Sequence, residues 1–101
     1  MRRNFRTYDL AVEFYRESQT LTLSAHLKEQ LSRAASSIVL NLAEGRGKST
    51  TKDQVRFFTI ALGSTRECEA ILTLAGLVGS EPWNKLDRLG AHLYQLIKRA
   101  R

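Results

Sequence analysis

The chain has 101 residues, 43% of them apolar and 26% charged, with sixteen basic side chains against ten acidic for a net charge of +6. That length suits one domain over residues 1–101, with a single core that stands to gain from oligomerisation. No stretch approaches the roughly 18 uninterrupted apolar residues of a membrane span, the basic N-terminus lacks the apolar centre of a secretory signal, and the lone Cys68 rules out an intrachain disulfide and points to the cytoplasm.

Four segments carry a helical period and none sustains the alternation of a strand. The first, over residues 7–22, sets Leu10, Ala11, Phe14, Tyr15, Ser18 and Leu21 on one side and Asp9, Glu13, Arg16 and Glu17 on the other. The second runs from Ala25, capped by Ser24, to Glu44, with an apolar stripe of Leu27, Leu31, Ala34, Ala35, Ile38 and Leu42 and with Gly45 as its stop. The third begins at Thr51, which has capping-box spacing to Gln54, and reaches Val78 before Gly79. Ser80 caps the fourth, where Pro82 is tolerated in the first turn and Trp83, Leu86, Leu89, Gly90, Leu93, Leu96 and Ile97 form the buried side. Short connections favour antiparallel neighbours, so the pattern predicts an all-α, up-down-up-down four-helix bundle.

The third helix is apolar over more than one face. Beside its main stripe of Phe58, Ala61, Leu62, Thr65, Cys68, Leu72 and Ala75 lies a second set, Ile60, Ile71, Leu74 and Val78. This excess is expected to bury itself in a subunit interface, or else the helix is central and enclosed by its own chain.

Positive charge gathers in three places. Arg2, Arg3 and Arg6 form an N-terminal arm; Arg46, Lys48 and Lys52 occupy the turn after the second helix; Lys85, Arg88, Lys98, Arg99 and Arg101 line the fourth helix and its tail. Eleven of the sixteen basic residues are arginine, whose planar fork suits phosphate. Tyr8, Tyr15 and Trp83 fall on apolar stripes and read as core. The chain thus offers phosphate contacts without an evident means of reading bases, and its binding of nucleic acid is expected to be shape-led and salt-dependent.

Three chemical motifs dissolve under their own requirements. Gly47-Lys48-Ser49-Thr50 looks like the tail of a P-loop, but the first glycine of that motif would fall at Leu42, and a helix stands where a strand is needed. His26 and His92 lie on different helices and Cys68 has no partner, so no metal or other cofactor is expected. Asn41, Glu44 and Glu69 sit on or beside apolar stripes; they could be an acid–base site, or they could set helix register through hydrogen bonds, with Arg66 three residues before Glu69 as its partner. Short-looped helices leave little room for an enzyme pocket, which favours the structural role and a non-enzymatic protein.

Several of these segments also resemble a known family. Asn41-Leu42-Ala43-Glu44-Gly45 is similar to the "S-N-I-A-E-G" helix end of the four-helix-bundle proteins encoded in intervening sequences of large-subunit ribosomal RNA genes. Leu31-Ser32-Arg33-Ala34-Ala35-Ser36-Ser37-Ile38 matches the family's "L-R-R-A-A-x-S-I", and residues 58–69 its "F-L-x-I-A-L-G-S-x-x-E-x-E". Tyr8-Asp9-Leu10-Ala11-Val12 is similar to its opening "F-x-D-L-x-V-W" without the tryptophan, and the loop Leu21-Thr22-Leu23-Ser24 is abbreviated. The resemblance implies a ring-shaped homopentamer. It also implies kinship with the pentameric accessory proteins of diversity-generating retroelements, which bind a reverse transcriptase and its RNA through a basic surface. The expected function is therefore RNA or other nucleic-acid binding as an accessory or scaffold; the alternative is a scaffold that docks onto a protein such as a reverse transcriptase without touching RNA.

Overall fold

The computed structural model describes residues 2–100, with side chains from Arg6 to Ala100. They form four helices, α1 (Arg2–Ser18), α2 (Ala25–Arg46), α3 (Thr51–Leu74) and α4 (Glu81–Ala100), and no strand among the described residues. At about 1.5 Å per residue the longest helix would span roughly 36 Å, which accounts for the 40 Å long axis of the molecule. Each helix packs against two others, α1 on α2, α2 on α3, α3 on α4 and α4 back on α1, so a four-membered ring of helices encloses the core.

All four helices feed one apolar cluster, with Phe14 of α1, Leu31 and Ile38 of α2, Phe58 and Leu72 of α3, and Leu86, Leu89 and Leu93 of α4 fully buried. The stripes expected from helical periodicity are the ones that face inward. Buried hydroxyls within the cluster bond locally: Thr65 donates to the Ala61 carbonyl at 2.9 Å and Ser18 to the Tyr15 carbonyl at 2.6 Å. This meets the requirement that a buried polar group find a partner.

Helix ends follow capping chemistry more closely than hydrophobic pattern. The Ser24 hydroxyl accepts from the Leu27 amide at 3.3 Å at the start of α2, and the Ser80 hydroxyl accepts from the Trp83 amide at 3.4 Å before α4. α3 starts at Thr51 as the sequence reading has it, but its cap is one residue earlier: Thr50, not Thr51, accepts from the Asp53 amide at 3.2 Å, while the Gln54 amide group donates to the Lys48 carbonyl at 3.0 Å. The end of α3 comes earlier than Val78. Gly76 (φ +76°) takes the left-handed position, the Leu77 amide reaches the Leu72 carbonyl at 2.9 Å, and the Gly76 amide reaches Thr73 at 3.0 Å. That pair of hydrogen bonds satisfies carbonyls of the last turn and stops the helix. At the other extreme, α1 begins at Arg2 and ends at Ser18, several residues before the predicted 7–22.

Gly45 is a correction of a different kind. It does not stop α2, which continues to Arg46 with Gly47 as its C-terminal cap. Gly45 is buried inside the helix, and a Cβ there would lie 2.7 Å from Phe58 Cε1, 2.9 Å from Phe58 Cδ1 and 3.0 Å from Phe57 Cβ. Its missing side chain lets α3 approach α2. The same seam is pinned about two turns away by a 2.8 Å hydrogen bond between the Ser37 and Ser64 hydroxyls.

Ile71 also departs from expectation. It is 4% exposed and belongs to the core of its own chain, so it is not part of an outer patch. Ile71 lies within the arc of α3 that packing against α2 and α4 buries. Ile60, Leu74 and Val78 do remain exposed, at 43%, 74% and 59%.

A candidate nucleic-acid interface at one end of the bundle

Contacts between helices sort the charges by position. The guanidinium of Arg46, at the end of α2, lies 5.2 Å from the centroid of the Tyr8 ring on α1. Gly45 meets Phe58 of α3, and Arg6 of α1 lines a cleft with Arg99 of α4. Residues 6–10, 41–61 and 93–100 therefore share one end of the bundle. At the other, Lys85 of α4 pairs with Glu17 of α1 at 2.9 Å, and Gln19, in the turn just after α1, donates to the Ser32 hydroxyl of α2 at 3.2 Å.

Charge divides unevenly between these ends. The first holds seven described basic residues (Arg6, Arg46, Lys48, Lys52, Arg56, Lys98 and Arg99) against three acidic, Asp9, Glu44 and Asp53. The remainder holds six basic residues against seven acidic, so the excess positive charge of the described chain lies at one end. With a screening length of about 8 Å at physiological salt, the ends of a 40 Å molecule act on solution independently. Arg2, Arg3 and Arg101 are assigned by sequence to the same interface, but their side chains lie outside the described residues.

Not every cation at this end faces outward. Arg46 is half-buried against Tyr8, and Lys48 is held at 3.3 Å by Glu44 and lies 5.2 Å from the Phe57 ring centroid. Arg46 ties the end of α2 to α1, and Lys48 braces the α2–α3 turn. Arg6, Lys52, Arg56, Lys98 and Arg99 are exposed. Arg56 was not singled out from the sequence, although it stands one helical turn after Lys52; its guanidinium flanks Phe57 at 4.6 Å. Lys85 and Arg88, which the sequence grouped with the tail of α4, belong to the opposite end. Residues 85 and 99 are separated by about 21 Å of helix, and the hydrogen bond Lys85 donates to Glu17 raises its amine above the ordinary lysine value, with nearby carboxylates adding to the effect.

The polar residues of the stripes take distinct places. Asn41 donates to the Ser37 carbonyl at 2.9 Å and to the Ser37 hydroxyl at 3.1 Å, which connects it to the Ser37–Ser64 bond between α2 and α3. Glu44 is exposed and tied to Lys48. Glu69 is half-buried and shares an open depression with Arg66 and Asp87 between α3 and α4, and among the described residues Arg66 and Glu69 form no ion pair. Cys68 is buried in the core; burial, with Glu67 and Glu69 nearby, pushes its thiol up to about 12, so it carries no thiolate near neutral pH.

The family model for the 23S rRNA-intervening sequence proteins matches residues 5–100. The chain belongs to that family. Comparison with curated proteins and with solved structures returned no match. As a member of the 23S rRNA-intervening sequence protein family, it carries the expected motifs at structurally specific places: the Asn41–Gly45 segment forms the α2 side of the α2–α3 seam, and residues 58–69 form the α3 side. No helix of this family member is long and apolar enough among its described residues to cross a membrane.

Proposed function

We propose that this protein is a non-enzymatic RNA-binding bundle that engages phosphates through its basic end and serves as an accessory or scaffold in an RNA-containing assembly. The observation that carries the reading is the segregation of charge: the exposed cations Arg6, Lys52, Arg56, Lys98 and Arg99 stand at the end that holds the net positive charge. Membership of a family named for 23S rRNA intervening sequences supports an RNA setting. The facing pairs Ser37–Ser64 and Gly45–Phe58 step in opposite directions along α2 and α3, which supports an antiparallel, up-down-up-down arrangement.

Assembly into a homo-oligomer, a ring-like pentamer as the resemblance implies, is part of the same proposal. Leu40 is 66% exposed and Ile60 is 43% exposed, each one helical turn from the Ser37–Ser64 bond and in the same direction along the seam. A second copy seated over this part of the seam would bury both side chains. In a ring the basic ends would recur around a common axis, which raises avidity without new contacts.

The test is binding of a labelled RNA between 50 and 200 mM salt. If five exposed cations each meet a phosphate, the log–log salt slope for single strands is about −3.5, and affinity falls by roughly a hundredfold across that range. Charge reversal at Lys52, Arg56, Lys98 and Arg99 should abolish binding. Absence of binding at the lowest salt, or indifference to the reversals, overturns the proposal. Retained binding of an acidic protein such as a reverse transcriptase, with no RNA binding, would favour the scaffold reading.

A further inference from the structure

Among the described aromatic residues, Tyr94 is the one whose side chain is exposed. Phe14 and Phe58 are buried in the core, Tyr8, Tyr15 and Trp83 are packed against it, and Phe57 lies beneath Lys48 and Arg56. Tyr94 is 55% exposed on α4. It forms one wall of a groove of about 280 Å³ between α3 and α4, whose other lining residues are Thr59, Leu62, Ile97 and Lys98. The groove has an apolar floor, with Ile97 in the core and Leu62 packed against it. A hydroxyl and an ammonium stand at its rim. Lys98 follows Tyr94 by four residues and so shares its face of the helix.

Charge across the same half of α4 is of one sign. From Gly90 to Ala100 the helix carries no carboxylate, while Lys98 and Arg99 are exposed. On the other side of α4, Arg99 lines a cleft of about 350 Å³ with Arg6, His92 and Gln95. A path across the outer face of α4 therefore runs from a cleft with two guanidinium groups, over Gln95 and Lys98, into the groove beside Tyr94. A duplex presents its phosphates on the outside and keeps its bases stacked on one another, so an aromatic wall gives it nothing. A single strand can place an unpaired base against such a wall and its phosphates on the adjoining cations.

We infer that the outer face of α4 is a platform for single-stranded RNA, with an unpaired base stacked on Tyr94 in the α3–α4 groove and the flanking phosphates held by Lys98, Arg99 and Arg6. The inference rests on the RNA-binding reading and deepens it: phosphate contacts alone are indifferent to strandedness, and Tyr94 supplies the preference.

The experiment compares the whole protein with Tyr94→Ala and Tyr94→Phe, using a labelled unstructured oligouridylate, a duplex of the same length, and a strand carrying 2-aminopurine. Loss of one stacked base should weaken single-strand binding about tenfold while leaving the salt slope and the duplex affinity unchanged. Tyr94→Phe should bind as the parent does, and 2-aminopurine quenching should disappear in Tyr94→Ala alone. Lys98→Ala should instead lower the salt slope by about 0.7. Three outcomes overturn the inference: Tyr94→Ala binding the single strand as tightly as the parent, an equal loss on duplex, or a change in oligomer size by light scattering that accounts for the weakened binding. Failure of the parent protein to bind any RNA would instead remove the underlying RNA-binding reading, and with it this one.

Discussion

Replacing Gly45 by alanine adds one methyl group inside α2 and tests whether the close approach of α2 and α3 is held at that residue. The added carbon would lie 2.7 Å and 2.9 Å from two Phe58 ring atoms and 3.0 Å from Phe57 Cβ. Phe58 is 1% exposed and encased by the core, so its ring has no free direction of retreat, and a Cβ atom moves only with its backbone. Overpacking of this kind costs about 1–3 kcal/mol. Removing a glycine from a helix interior returns up to about 1 kcal/mol. The net expectation is destabilisation by about 1–2 kcal/mol, which for a domain of this size lowers Tm by roughly 4–16 °C. Gly63→Ala is the control. Gly63 is exposed in the middle of α3 with nothing within 4 Å of an added Cβ, so it should gain about 0.5–1 kcal/mol and melt a few degrees higher. Both are read by thermal circular dichroism at one fixed protein concentration, because any self-association makes Tm concentration-dependent. A Gly45→Ala protein that melts at or above the parent would refute the close-approach argument, and with it the assignment of Gly45 to the seam.

Four further outcomes follow from named contacts. Ser37→Ala and Ser64→Ala each break the 2.8 Å hydroxyl pair; urea unfolding of the singles and the double should show a coupling of about 1 kcal/mol, and strict additivity would mean the bond contributes nothing. The stability difference between the parent and Cys68→Ala should depend on pH. The folded thiol holds its proton up to about 12 whereas the ordinary value is 9.0, so above that value the unfolded chain binds fewer protons and the parent loses stability as pH rises. Between pH 8 and 10 the parent should lose about 1.4 kcal/mol relative to Cys68→Ala, and a constant difference would contradict the buried-thiol account. If the proposed homo-oligomer forms through this seam, Leu40→Glu combined with Ile60→Glu should yield monomers in light scattering while helical content is retained, and a mass unchanged from an oligomeric parent would refute the placement of the interface at Leu40 and Ile60. Charge reversal at Lys85 and Arg88 should leave RNA affinity nearly unchanged, because both stand at the end with no excess positive charge; a loss equal to that from Lys98 and Arg99 would show that the two ends do not act separately.

The four helices and their inward stripes were legible because a 3.6-residue period is a local property of the chain. Leu31, Ala34, Ala35, Ile38 and Leu42 could face only one way once α2 formed, and they are buried. Helix ends were less legible where two signals competed. Thr50 and Thr51 are both competent caps, and Gly76 and Gly79 are both competent stops; the amide geometry chose Thr50 and Gly76. Gly45 reads in sequence as a terminator, because glycine after an apolar stripe usually is one. Its reason for being glycine lies on another helix, in the ring of Phe58, and no local pattern contains that.

The basic character of the candidate site was legible in the sequence, but the arrangement of its charges was not. Sequence proximity put Lys85 and Arg88 with Lys98 and Arg99, since all four lie on one amphipathic helix. A helix of 20 residues spans about 30 Å of the 40 Å long axis, however, and it carries its two halves toward opposite ends. The converse error separated Arg6 from Arg99, which are over ninety positions apart in the chain and line one cleft. Cation count raised the expectation of phosphate binding; only the fold shows which cations share an end, which are engaged by Tyr8, Phe57, Glu44 or Glu17, and which stand exposed. Tyr94 illustrates the same point for aromatics. In sequence it stands beside the core residue Leu93 like any boundary tyrosine, and its exposure follows from a rotation of about 100° per residue that turns it from the core toward solvent. A basic bundle becomes a specific hypothesis about single-stranded RNA only when that ring and those charges are seen on one face.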